Sequence, residues 1–89
     1  MIDPHRHDLR MLGEAISQLR EQSRLTGDDL CAEAGLSPAQ LTELESGRLD
    51  PDLELIAAIA RALGVRASEI FIHAEQLAAH GPAQEPEPQ

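Results

Sequence analysis

The chain has 89 residues, 42% of them apolar at a mean hydropathy of −0.29, and sixteen acids against seven Arg and no Lys give it a formal charge of −9. That length supports one small core and excludes a second domain. Phe71 is the sole aromatic and β-branched residues are sparse, so a sheet is excluded and the core must be Leu, Ile, Ala and Val packed between helices.

Leu9, Leu12, Ile16 and Leu19, with Ala15 between them, recur at spacings of three and four and predict an amphipathic helix from residue 8 to about 23. The preceding residues 1–7 read as a flexible arm, with Arg6, Arg10, His5 and His7 available to meet a phosphate or simply to remain solvated. A second helix is predicted over about 27–34, with Leu30, Cys31 and Ala34 inward, and a third over about 38–46, with Leu41 and Leu44 inward. Thr26 followed by Asp29, and Ser37 followed by Gln40, are capping-box pairs that mark the two starts. Gly35 ends the second helix, and Pro38 stands where a first helical residue needs no N–H. The two short helices are thus joined by a turn of about three residues, the outline of a helix-turn-helix.

Asp52 is a good cap for a fourth helix carrying Leu53, Ile56, Ala57, Ile59, Ala60 and Leu63 and closed by Gly64; being apolar around much of its girth, it should be central. A fifth is predicted from Ala67 to about His80, with Ile70, Phe71, Ala74, Leu77 and Ala78 inward. The domain therefore spans 8–80, and residues 81–89, rich in Pro and Glu, read as a disordered acidic tail.

The longest apolar run, Leu55 to Ala60, is too short to span a membrane, and MIDPHRHDLR lacks the pattern of a signal peptide, so a soluble cytoplasmic protein is expected. Cys31 has no second Cys to pair with and reads as a small buried thiol. No cofactor or metal is expected: His5 and His7 lie in the arm, and His73 and His80 have no third ligand beside them and read as surface residues. Glu43 and Glu45 point about 200° apart on one helix and cannot share a substrate, so an enzyme is not expected.

The order Leu12-Gly13, Leu19-Arg20, Asp29-Leu30, Ala34-Gly35-Leu36-Ser37, Leu44-Glu45-Ser46-Gly47-Arg48, Pro51, Ile59-Ala60, Ala62-Leu63-Gly64-Val65 and Glu69-Ile70 resembles the lambda-repressor/Cro-type helix-turn-helix family of transcriptional regulators, also called the XRE family, over roughly residues 8–72. The resemblance implies a compact all-α, five-helix fold. It also implies a structural ion pair between Arg20 and Glu45, a homodimer, and double-stranded DNA as partner, with the third helix in the major groove.

With Leu41 and Leu44 inward, the outward face of that helix centres on Ala39 and Glu43, flanked by Thr42 and Ser46, with Pro38 and Gln40 at its margins. Ala39 suits a thymine methyl, Glu43 a cytosine amino group, and Thr42, Ser46 or Gln40 a base or phosphate. Ser37 and the Gly27 amide stand at helix N-termini, and Arg48 is the phosphate clamp. Ala74, Leu77 and Ala78 are the candidate dimer interface. Over residues 26–50, however, Asp28, Asp29, Glu33, Glu43, Glu45 and Asp50 face Arg48 alone, a net of −5. Two functions therefore stay open. One is a sequence-specific DNA-binding regulator with a shallow salt dependence; the other is an interaction module of the same fold, of the anti-repressor or antitoxin kind, whose acidic face binds a basic protein.

Overall fold

In the computed structural model, which describes residues 4–80 and the side chains of 8–79, the chain runs through α1 (Pro4–Gln22), α2 (Gly27–Ala34), α3 (Pro38–Glu45), α4 (Leu53–Leu63) and α5 (Ala67–His80). Among the described residues there is no strand. The centre of the core takes one fully buried side chain from every helix: Ile16, Leu30, Leu44, Ile59 and Ile70. α1 lies against both α5 and α3, α2 packs on α4, and α4 reaches α5, so the five helices close around those residues.

Three features depart from the sequence reading. α1 begins at Pro4 rather than at residue 8, because a proline at the first helical position has its φ set for a helix and needs no N–H partner. Residues 4–7 of the expected flexible arm are thus helical backbone; residues 1–3 and the expected tail 81–89 lie outside the described residues. Leu53, counted in the apolar stripe of α4, is 80% exposed. It is the first residue after the Asp52 cap, at the end of the helix and ahead of its first buried residue, Ile56. On α5 the inward position goes to Ile70, so Phe71, about 100° further round, falls at the edge and is 41% exposed.

His73, expected on the surface, is half-buried in the seam between α5 and α1, its Nε2 2.8 Å from Gln18 Oε1. Gln18 Nε2 in turn donates to Glu14 Oε2 at 3.3 Å. A second polar tie joins distant segments where Ser23 Oγ donates to the Leu63 carbonyl at 3.3 Å. Cys31 is buried as a thiol.

Candidate nucleic-acid interface

Local sequence builds the α2–turn–α3 unit. Thr26 Oγ1 accepts from the Asp29 amide at 3.0 Å while the Thr26 amide donates to Asp29 Oδ2 at 3.1 Å. The same reciprocal box caps α3: the Gln40 amide donates to Ser37 Oγ at 3.1 Å, and the Ser37 amide donates to Gln40 Oε1 at 2.9 Å. Between the boxes, Gly35 takes φ +75°, and its N–H and that of Leu36 both reach the Cys31 carbonyl at 2.9 Å. Leu36 is buried and joins this turn to the core. Gly27 is half-buried against α3, since a Cβ there would meet Leu41 Cδ2 at 3.2 Å; it serves helix packing as well as the α2 N-terminus.

The far end of α3 is held against α1 by three contacts that no local rule supplies. At Gly13 the two backbones touch: a Cβ would collide with the Leu44 carbonyl oxygen and stand 2.8 Å from that of Glu45. At Gly47, φ is +80° and a Cβ would lie 2.7 Å from Arg10 Cα, so the position excludes side chains on both counts. Arg20 Nε then donates to Glu45 Oε2 at 2.8 Å, Nη2 approaches Oε1 at 3.5 Å, and Nη1 donates to the Leu25 carbonyl at 3.1 Å. This one guanidinium ties α1, the α1–α2 connection and α3 together, with the two side chains 18% and 20% exposed. The hydrogen bond to Glu45, more than any other influence, raises the Arg20 pKa further above its already basic range, so the guanidinium stays charged at neutral pH.

Held this way, α3 turns Leu41 and Leu44 into the core and leaves Ser37, Pro38, Ala39, Gln40, Thr42, Glu43 and Ser46 exposed. The hydroxyls on that face are turned back on their own helix: Thr42 Oγ1 donates to the Pro38 carbonyl and Ser46 Oγ to the Glu43 carbonyl, each at 3.1 Å. Arg48 is exposed just past the helix, and the Gly47 contact brings Arg10 of α1 to the same end. The place of Arg10 against Gly47, next to Arg48 in the chain, follows from packing across 37 positions, which no periodicity or spacing signals. In front of α3, by contrast, the first turn of α2 carries Asp28 and Asp29, which favour the helix dipole and offset the pull of that helix end on an anion.

Ala74, Leu77 and Ala78 are half-buried on α5. Ala74 and Ala78 join Leu9, Met11 and Phe71 in lining an open, largely apolar groove of about 420 Å³ between α1 and α5. Among the described residues no group of three or more His, Cys, Asp or Glu is arranged to hold a metal ion, and no helix is long and apolar enough to cross a membrane.

Residues 11–70 match the family described as "Helix-turn-helix domain". The chain belongs to that family. Among solved structures, the helix-turn-helix chain is similar to the clp gene regulator ClgR from Corynebacterium glutamicum, at 33% identity and TM-score 0.83 over 88% of this chain and 83% of that one. It is also similar to the restriction-modification controller protein C.AhdI from Aeromonas hydrophila, at 28% identity and TM-score 0.70 over 72% of this chain and 97% of that one. Multiprotein-bridging factor 1 of Candida albicans is 36% identical over 55 residues, which is 62% of this chain and 36% of that protein. The chain thus matches little more than a third of the first curated relatives' length. The fold is lambda-repressor-like, and the family is a non-enzymatic one of helix-turn-helix regulators.

Proposed function

We propose that the chain is a sequence-specific DNA-binding transcriptional regulator of the cytoplasm that acts as a homodimer, with α3 in the major groove. The observation that carries this is the exposed ridge of α3, capped at one end by Ser37 and Gln40 and fastened at the other through Gly13, Gly47 and the Arg20–Glu45 pair. A reading helix must be held in register, since an error of an ångström at its base displaces every contact at its tip. Pro38, Ala39, Gln40, Thr42, Glu43 and Ser46 face the bases, Gly27 and Ser37 offer helix N-termini, and Arg48 with Arg10 grips the phosphate backbone. Ala74, Leu77 and Ala78 of α5 form the dimer contact.

The second reading, an interaction module that binds a basic protein, is favoured by the charge of this face. Asp28, Asp29, Glu33 and Glu43 are all exposed there, and across residues 26–50 Arg48 is the one cation set against them. The name of the Candida relative is in keeping with it.

Fluorescence-polarisation binding to the DNA upstream of the chain's own gene and to a scrambled duplex, repeated across a salt series, separates the two. With Arg10 and Arg48 from each of two subunits on phosphates, the slope of log K against log salt is about −4, and Arg48→Ala brings it to about −2. Selective binding lost in Ala39→Glu and weakened in Arg48→Ala supports the regulator. Equal failure on both duplexes at low salt, with the helical content intact, supports the protein-binding module.

A further inference from the structure

The reading face of α3 has a one-sided hydrogen-bonding character, visible only once each group's partners are known. Pro38 has no N–H and Ala39 ends in a methyl group. The Thr42 and Ser46 hydroxyls each lie 3.1 Å from a main-chain carbonyl of their own helix. A carbonyl only accepts, so the hydroxyl proton points inward in both cases and the oxygen lone pairs point outward. Glu43, on the same outward side of the helix, is a carboxylate and only accepts. Gln40, at the margin, has its Oε1 occupied by the Ser37 N–H, which keeps it from the two-point grip on adenine and leaves its amide NH₂ as a donor to one side. The hydrogen-bonding groups of the face are therefore acceptors, set around the Ala39 methyl, with donors at its margin in Gln40 and past its end in Arg48.

In the major groove, guanine and thymine offer only acceptors, while cytosine offers its N4 amino group and adenine its N6 amino group beside the N7 acceptor. A carboxylate set against guanine or thymine faces lone pairs, and against adenine one of its oxygens faces N7. Only cytosine presents a donor with no acceptor beside it on the same edge. We infer that Glu43 is the specificity-determining residue of the face and that it selects a cytosine in each half-site through the N4 amino group, with the oxygens of Thr42 and Ser46 reinforcing a preference for amino-bearing bases. This rests on the DNA-reading proposal above and assigns that site's base class.

The test is enrichment of duplexes from a random-sequence library by the full chain and by Glu43→Gln and Glu43→Ala. Glu43 is exposed and outside the core, so both variants are expected to fold, with circular dichroism as the check. The wild-type motif should contain one cytosine per half-site, preferred about tenfold, which Glu43→Gln converts to adenine and Glu43→Ala relaxes while the other positions persist. On the selected duplex, replacing that cytosine by N4-methylcytosine should weaken binding about tenfold, and 7-deazaguanine in the opposite strand should leave it unchanged. A motif in which no position responds to Glu43, or which is sensitive to 7-deazaguanine and indifferent to N4-methylcytosine, overturns the assignment and leaves DNA reading standing. Failure to enrich any motif, with folded protein, overturns both.

Discussion

Replacing Gly13 by Ala tests whether α1 and α3 really meet backbone to backbone. In an exposed helix interior this change stabilises by about 1 kcal/mol, because Ala is the better helix former. Here the new Cβ would collide with the Leu44 carbonyl oxygen and lie 2.8 and 2.9 Å from the carbonyl oxygen and carbon of Glu45. All three atoms are main chain in α3, so no side-chain rotation relieves them, and the helices must part by about 1 Å to restore an ordinary contact. Overpacking of this kind costs about 1–3 kcal/mol, and separation also loosens the Arg20–Glu45 pair across the same seam, so the sum outweighs the propensity gain. A net loss of about 2 kcal/mol corresponds to a fall in Tm of about 8–16 °C for a domain of this size. Thermal melting followed by circular dichroism at 222 nm measures it. Glu14→Ala, one residue along on the exposed side, is the control and should stay within about 0.5 kcal/mol. A Gly13→Ala protein that melts at or above the wild-type temperature would refute the close approach and the account of how α3 is held.

Arg20→Ala removes three hydrogen bonds from a guanidinium that is mostly shielded and leaves the Glu45 carboxylate without its partner; a loss of about 2 kcal/mol is expected by urea unfolding, against about 1 kcal/mol for Glu45→Gln. A loss of a few tenths from Arg20→Ala would mean the pair behaves as an ordinary surface contact. Arg24, in the turn just past α1, takes φ +62°, a conformation that costs an L-residue about 1–2 kcal/mol, so Arg24→Gly should stabilise by about 0.5 kcal/mol once the added flexibility of the unfolded chain is set against it, and a lower Tm would count against that reading. Leu77→Glu places a charge in the proposed α5 contact: sedimentation should show dimer converting to monomer with helical content retained, whereas an unchanged dimer would move the interface elsewhere.

The period of Leu12, Ile16 and Leu19, the boxes at Thr26–Asp29 and Ser37–Gln40, and the glycines after α2 and α4 are short-range signals. They act within a turn or two of helix, so the five elements and the outward ridge of α3 could be read directly from the chain. Pro4 begins α1 five residues ahead of Leu9, the first residue of the apolar stripe, so that periodicity does not mark the start. The arrangement around α3 was not available at that level. That Gly13 admits the Leu44 carbonyl, that Gly47 lies on Arg10, and that Phe71 yields the interior to Ile70 depend on how helices cross, and crossing is decided by the fit of whole surfaces. The sequence by itself determined which helices form and which residues of α3 face outward, because those follow from chain-local geometry. Only the tertiary structure decided what fastens that helix, and which arginine joins Arg48 beside it, because those contacts join segments tens of residues apart through a packed core.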